Sequence, residues 1–181
     1  MDIQSLYQQA IKFAAVKHVE KNQLVPGTNL PYVVHLSNVA MEILVAAHYS
    51  STFNLAYAIQ LALLHDTLED TSTTFEEVSA AFGVEVAQGV LALTKNDALS
   101  KAEQMLDSLK RIKELPTEVW AVKLADRITN LQVPPSYWDD AKKSGYRQEA
   151  MIILHELNGG NAYLEKRLNE KIMDYKQYIT A

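Results

Sequence analysis

The order of apolar and polar residues follows a helical repeat along almost the whole chain. Apolar residues recur every three or four positions, and no convincing run alternates as a half-buried strand would. The pattern predicts helices over residues 3–17, 32–49, 55–66, 75–82 continuing as 84–93, 101–114, 118–131, 145–157 and 162–178. We therefore predict an all-α protein, a bundle of roughly eight helices that forms one domain over residues 1–181.

Polar residues at the ends of these segments support the predicted boundaries. Thr74 with Glu77, and Ser100 with Glu103, have the spacing of a capping box, in which two side chains satisfy free backbone N–H groups at a helix start. The longest connection, residues 22–31, contains Pro-Gly, a pair typical of turns. Because long loops commonly carry ligand contacts, this segment is a candidate border of a site.

Composition narrows the classes of function. The 181 residues are 48% hydrophobic and carry a net charge of −5, which argues against a broad nucleic-acid surface but not against a local basic pocket for a phosphorylated ligand. The chain has no cysteine, which excludes disulfides and thiolate metal sites. No signal-peptide pattern or membrane-length apolar run is present. We expect a cytoplasmic protein without membrane or nucleic-acid partners.

The most informative chemistry is the pair His65-Asp66, which directly follows the apolar run 61–64. Imidazole and carboxylate together suit a divalent cation such as Mn²⁺, Fe²⁺ or Zn²⁺. Glu69 and Asp70 follow one helical turn later, where an acid can handle the attacking water of a hydrolysis. Taken alone, His65 is more often a core residue, but a buried Asp66 needs a partner, and one metal site would use both groups.

Two ligands are too few for a metal site, so others must come from elsewhere in the chain. His35 begins an apolar helix just after the long loop, and Asp126 lies in the apolar segment 118–131. The alternative for Asp126 is a surface ion pair with Arg127, and spacing alone leaves both interpretations open.

These residues lie in segments that match a known pattern. Four segments carry the match, in family order: Ala14-Ala15-Val16-Lys17-His18, Pro31-Tyr32-Val33-Val34-His35, residues 62–71 and Lys123-Leu124-Ala125-Asp126-Arg127-Ile128-Thr129-Asn130. The chain resembles the HD-domain metal-dependent phosphohydrolases. It is most similar to the (p)ppGpp hydrolase domain of the RelA/SpoT family and to its small single-domain alarmone hydrolases. The resemblance implies the all-α HD-domain bundle.

The resemblance also implies roles for individual residues. Four correspond to the protein ligands of one Mn²⁺, with other divalent ions as alternatives: His35, His65, Asp66 and Asp126. Glu69 and Asp70 correspond to the acidic pair that orients or activates the attacking water. Three more correspond to the substrate pocket: Asn130 near the ribose, and Tyr32 and Lys95 along its wall. His18 matches a position that orients the loop or packs behind the metal site.

The implied reaction removes the 3′-pyrophosphate of guanosine tetra- or pentaphosphate, a small-molecule nucleotide, as part of the stringent response. The loop departs from the family, which usually has an Arg-Lys pair before a Gly-X-Pro-Tyr segment. Here only Lys21 remains nearby, and the spacing is about one residue longer. Two alternatives therefore stay open: a phosphohydrolase of the same type that acts on another nucleotide, and a catalytically silent nucleotide-binding module. The oligomeric state is left open.

Overall fold

The computed structural model describes residues 1–180, and the all-α prediction is confirmed. Within that range no strand forms beyond one isolated bridge between Leu24 and Pro31. The α-helices are α1 (Ile3–Glu20), α2 (Val33–His48), α3 (Leu55–Leu64), α4 (Thr67–Asp70), α5 (Phe75–Phe82), α6 (Val84–Leu93), α7 (Lys101–Lys113), α8 (Thr117–Asn130), α9 (Asp140–Glu156) and α10 (Ala162–Asp174). A 3-10 turn, Tyr175–Tyr178, follows α10. Among these described residues, no helix combines the length and the apolar character that a membrane crossing needs.

Helix α3 is the centre of the bundle. It packs against α1, α2, α6 and α8, and its residues other than Tyr57 and Gln60 are aliphatic. Six of its ten residues are buried and hydrophobic: Ala58, Ile59, Leu61, Ala62, Leu63 and Leu64. A helix that is apolar all round is stable only inside a core. Because α2 and α8 both contact α3, residues near the end of α3 lie close to side chains from both neighbours.

The third predicted helix ends earlier than expected. We predicted that it continues through His65-Asp66, but α3 stops at Leu64, and Asp66 instead precedes the one-turn helix α4. Side chains satisfy the carbonyl groups that a helix end leaves free: the Thr67 hydroxyl donates to the Leu64 carbonyl at 2.6 Å, and His65 Nδ1 lies 2.9 Å from the Ala62 carbonyl. His65 and Asp66 themselves keep backbone angles in the right-handed helical region, with φ −54° and ψ −33° at His65 and φ −97° and ψ 0° at Asp66.

Two other boundaries differ from the predicted ones. Helix α9 begins at Asp140 rather than near Gly145, because Asp139 caps it by accepting from the backbone N–H of Lys142 at 2.8 Å. The predicted last helix changes to a 3-10 turn at Tyr175, which is buried. Both predicted capping boxes, at Thr74 and at Ser100, are confirmed.

Gly89 shows how tightly α6 packs on α3, and it supports a stability prediction. A Cβ atom at Gly89 would lie 2.6 Å from Leu61 Cδ2 and 2.7 Å from the Tyr57 hydroxyl. Overpacking a core costs about 1–3 kcal/mol, against a gain of up to about 1 kcal/mol from the better helix propensity of alanine. We expect Gly89→Ala to lower the free energy of unfolding by about 1 kcal/mol, and by at most about 2 kcal/mol if alanine makes its full propensity gain, in urea titrations followed by circular dichroism.

The matched control is Gly145→Ala on α9, where a Cβ meets nothing within 4 Å. That variant is expected to raise the free energy of unfolding by about 0.5–1 kcal/mol. If Gly89→Ala raised the free energy of unfolding as Gly145→Ala is expected to do, the close packing of α6 on α3 would be contradicted.

Candidate metal centre

The side chains predicted as metal ligands meet where α2, α3 and α8 come together. His35 lies in the first turn of α2, His65 at the end of α3 and Asp126 on α8, and their ligand atoms all lie within 4.8 Å of one another. His35 Nε2 is 3.4 Å from Asp126 Oδ1, and His65 Nε2 is 3.7 Å from the same oxygen. The fourth residue, Asp66, places Oδ2 2.9 Å from His65 Nε2 and 3.7 Å from His35 Nε2.

Hydrogen bonds at the far side of both imidazole rings fix how they face this point. His65 Nδ1 donates to the Ala62 carbonyl. His35 Nδ1 lies 3.4 Å from the Thr129 hydroxyl, which itself donates to the Asp126 carbonyl at 2.9 Å and so is an acceptor for the ring. An N–H on Nδ1 leaves the lone pair on Nε2, which is the form that binds metals.

The Nε2 atoms themselves fit a metal ion better than a hydrogen bond. Both are buried, and neither has a partner of hydrogen-bonding geometry among residues 1–180, even though a carboxylate oxygen approaches His65 Nε2 to 2.9 Å. Buried nitrogen atoms without partners are costly, because they have lost their bonds to water. Two imidazole nitrogens and two carboxylates without a thiolate are a donor set suited to Mn²⁺, Fe²⁺ or Zn²⁺.

The electrostatics of the cluster favour a positive charge at its centre. Burial opposes ionisation of Asp66 and Asp126, yet the pKa of each carboxyl lies well below its ordinary value, chiefly because of His65 for Asp66 and of Lys123 for Asp126. Burial likewise lowers the pKa of His65, but the two carboxylates outweigh it and raise that pKa well above its ordinary value. A divalent cation supplies the same charge without a proton.

Neighbouring side chains hold the two carboxylates in place. The Tyr32 hydroxyl donates to Asp66 Oδ2 at 2.5 Å, and the Asn130 amide donates to Asp126 Oδ1 at 2.5 Å. Lys123 Nζ lies 3.2 Å from Asp126 Oδ2. Tyr32 and Asn130, which we predicted as substrate contacts, therefore also orient predicted ligands, as residues behind a metal site commonly do.

The structure does not support the surface ion pair considered for Asp126. This residue is buried and bonds Lys123 and Asn130, while Arg127 lies with its guanidinium 4.3 Å from the centre of the Tyr146 ring. Arg127 is itself buried, and its Nε and Nη1 atoms have no hydrogen-bond partner within the described part of the chain. Arg127 was not predicted as a site residue, although it directly follows a predicted ligand.

The two acids of the predicted water-handling pair have different surroundings. Both oxygens of Glu69 are engaged by Lys95: Oε1 by the side-chain Nζ at 2.5 Å, and Oε2 by the backbone N–H at 3.0 Å. Asp70 accepts one bond, from Gln23 Nε2 to Oδ2 at 2.8 Å. Burial raises the pKa of Asp70, and the nearby Asp66 raises it further.

A cleft of about 480 Å³ opens beside the cluster. Seven of the nine predicted site residues line it: Tyr32, Asp66, Glu69, Asp70, Lys95, Asp126 and Asn130. Charged side chains of both signs line it: the cations Lys95, Lys101, Lys123 and Arg127, and the acids Asp66, Glu69, Asp70, Asp126 and Glu149. This size suits a small-molecule ligand, and the cations suit an anionic one.

A second pocket of about 280 Å³ adjoins the cleft and shares Tyr32, Asn130 and Tyr146 with it. Residues of the 22–31 loop, the Pro134-Pro135 turn and Trp138 line this pocket, and no Lys, Arg, Asp or Glu does so among the described residues. The site thus has a part lined by charged side chains and a neutral, partly aromatic part. That division matches a ligand with a charged end and a ring system.

Two histidines, two carboxylates and an acidic pair, gathered by these helices beside an open cleft, define a metal-dependent hydrolase. Comparison with known families agrees, since the model of the HD domain matches residues 10–159. The chain belongs to the HD-domain family.

Relatives extend the match over nearly the whole chain. The Xenopus tropicalis protein named guanosine-3′,5′-bis(diphosphate) 3′-pyrophosphohydrolase MESH1 is 33% identical over 174 residues, 94% of each chain. An Aquifex aeolicus guanosine-3′,5′-bis(diphosphate) 3′-pyrophosphohydrolase is 32% identical over 139 residues, 75% of this chain and 19% of that protein. A solved structure described as a metazoan ortholog of SpoT that hydrolyzes ppGpp superimposes with a TM-score of 0.80 at 29% identity, covering 96% of this chain and 97% of the other.

Proposed function

We propose that this protein removes the 3′-pyrophosphate from guanosine tetra- or pentaphosphate, giving GDP or GTP and pyrophosphate. Proteins named for this reaction are about 33% identical to it over most of its length. The observation that carries the proposal is the convergence of two unpartnered imidazole nitrogens and Asp126 within 4.8 Å, beside a cleft to which four Lys and Arg side chains contribute. We further propose that residues 1–181 act as one hydrolase domain in the cytoplasm.

His35, His65, Asp66 and Asp126 would hold one divalent ion, for which we propose Mn²⁺. When bound, such an ion polarises a phosphoryl oxygen and makes water a stronger nucleophile at neutral pH. The water oxygen attacks the phosphorus next to the ribose, the bond from that phosphorus to the 3′ oxygen breaks, and pyrophosphate leaves. The water's proton passes to a carboxylate, and the 3′ oxygen takes up a proton as the nucleotide is released.

Asp70 is the better placed of the two acids to take the proton. Both oxygens of Glu69 are engaged by Lys95, whereas Asp70 keeps Oδ1 without a hydrogen bond among the described residues. The raised pKa of Asp70 also makes its carboxylate a stronger base than an ordinary aspartate. Glu69 instead fixes Lys95, a cation of the cleft, next to the reacting phosphates.

The charged cleft and the neutral pocket suit different ends of the substrate, the phosphates and the nucleoside. The phosphates would lie along Lys95, Lys101, Lys123 and Arg127, where cations offset their charge. The nucleoside would occupy the neutral pocket beside the 22–31 loop, where Trp138 and Tyr146 offer aromatic surfaces.

One observation favours a second candidate function, hydrolysis of a different nucleotide by the same centre. The loop that borders the nucleoside pocket contributes no cation to it within the described structure, because Lys21 lies outside the lining residues. Selectivity for a particular nucleoside would then come from the neutral wall of the pocket and not from charge.

The proposal predicts a metal-dependent release of pyrophosphate. Chelation followed by dialysis should abolish hydrolysis of guanosine tetraphosphate, and added Mn²⁺ should restore it, measured by separate assays for pyrophosphate and orthophosphate. Ca²⁺, which prefers more oxygen ligands and a larger cage, is the matched control and should restore little. If the protein released orthophosphate from other nucleotides but no pyrophosphate from guanosine tetraphosphate, the second candidate function would be favoured. If it bound nucleotides tightly without hydrolysing them, it would be a catalytically silent nucleotide-binding module.

A further inference from the structure

Gln23 occupies a fixed position at the start of the long loop. Asn22 adopts a positive φ of 52°, which ends α1 and turns the chain back over its last turn. The backbone N–H of Gln23 donates to the His18 carbonyl at 3.1 Å, and its carbonyl accepts from the Tyr32 N–H at 3.2 Å. Because both of these backbone groups are hydrogen-bonded, the backbone of Gln23 is fixed, and so is the position from which its side chain extends.

The amide of Gln23 bridges two titratable side chains. Its Oε1 lies 2.6 Å from His18 Nδ1, and its Nε2 lies 2.8 Å from Asp70 Oδ2. The opposite orientation would place the amide oxygen against the Asp70 carboxylate, so ionised Asp70 sets the direction of the amide. His18 must then carry its proton on Nδ1 to donate to the amide oxygen.

The surroundings of His18 favour the orientation in which its Nδ1–H donates to the Gln23 amide oxygen. The ring is buried against Tyr32, with 4.8 Å between the ring centroids, and its Nε2 has no partner in residues 1–180. Burial also lowers the pKa of His18 and keeps the ring neutral. A neutral ring with one donor, aimed at one amide oxygen, restrains the Gln23 side chain to a single rotamer.

We infer that Gln23 is a positioning residue for Asp70, held in place by His18. By occupying Oδ2, the amide leaves Oδ1 as the oxygen that faces the attacking water, and it prevents the carboxylate from rotating. The inference rests on the proposed function in one respect only, the role of Asp70 in hydrolysis. Related enzymes usually carry basic residues in the segment that corresponds to the 22–31 loop. In this chain the same loop contributes Gln23, which bonds Asp70, the acid proposed to take the proton of the attacking water.

The test compares Gln23→Met with Gln60→Met. Methionine keeps the length of glutamine without its hydrogen bonds, and Gln60 is a matched control because its amide bonds only the Ala56 carbonyl within its own helix. Loss of a residue that orients a metal ligand typically costs 10–100-fold in activity, and we take the same scale for a residue that orients the water-handling acid. We expect Gln23→Met to lower kcat by about 10-fold or more, with KM and Mn²⁺ affinity within about threefold of wild type, and Gln60→Met to leave all three unchanged.

Two further measurements separate positioning from a general structural effect. In an Asp70→Asn background, Gln23→Met should change kcat by less than about threefold, because the group it positions has already been altered. The ¹⁵N chemical shifts of the His18 ring should report the Nδ1–H form in the wild type and lose that signature in Gln23→Met. This second readout needs no turnover.

Each outcome decides the inference. Full activity of Gln23→Met, the same loss in the Asp70→Asn background, or a His18 ring protonated on Nε2 in the wild type would overturn it. The kinetic comparison uses whichever nucleotide the wild-type enzyme hydrolyses best, so failure on guanosine tetraphosphate alone defeats the proposed function and leaves the Gln23 inference standing. If no nucleotide is hydrolysed, Asp70 has no role in hydrolysis, and the inference falls whatever the ring shifts show.

Discussion

His65→Ala is expected to abolish metal binding and, with it, hydrolysis. The ring contributes one of two imidazole nitrogens that face the predicted ion, and it lies between Asp66 and Asp126. No neighbouring side chain can replace it, because the end of α3 places only this residue there. We expect Mn²⁺ affinity to fall by at least about 100-fold in calorimetric titrations, and pyrophosphate release to fall below detection.

The control for this variant is His48→Ala, which removes an exposed histidine at the end of α2. It should bind Mn²⁺ and turn over substrate as the wild type does. Because His65→Ala also removes a buried side chain, both variants are compared by circular dichroism before titration. A folded His65→Ala protein with wild-type Mn²⁺ affinity would show that the predicted ligand set is wrong.

The double variant Glu69→Gln with Asp70→Asn is expected to separate metal binding from catalysis. Both changes keep the size of the side chain, remove the negative charge and replace one acceptor oxygen by an NH₂ donor. Neither residue is a predicted ligand, so Mn²⁺ affinity should stay within a few fold of wild type. Loss of a general base typically costs 10²–10⁴-fold, and we expect kcat to fall by about that much.

The single variants divide the effect between the two acids. Asp70→Asn should account for most of the loss in kcat, because Asp70 has the free oxygen. Glu69→Gln should act mainly on KM, since it weakens the contact that fixes Lys95 in the cleft. A fully active double variant would show that another group accepts the proton.

Sequence patterns predicted most of the architecture and most of the residues that meet at the centre. Helical periodicity depends on local chemistry, and so do the capping boxes at Thr74 and Ser100, which are therefore readable from a few neighbouring positions. His35, His65 and Asp126, predicted from their chemistry and from the resemblance, come together as a metal site would require. Their roles, like those of Glu69 and Asp70, stay predictions until the variants are measured.

The features that were missed depend on contacts between distant parts of the chain. Periodicity continues through His65, and only the hydrogen bonds of its ring and of Thr67 to the preceding turn show that α3 ends there. The bridge between Gln23 and Asp70 joins positions 47 residues apart and leaves no signal in the spacing of either segment. Tyr32 was recognised, but its bond to Asp66 Oδ2 required the loop and α4 to be placed together.

The meeting of α2, α3 and α8 at one point also has a consequence for the lifetime of the protein. A bound ion would tie together segments that are far apart in sequence, and an unfolded chain offers no such site. By mass action the free energy of unfolding then rises with the ratio of the ion concentration to Kd, by about 2.7 kcal/mol at an ion concentration of 100 Kd. Metal scarcity would therefore increase the unfolded fraction that proteases remove, so that the abundance of this enzyme, as well as its turnover, follows the supply of the ion.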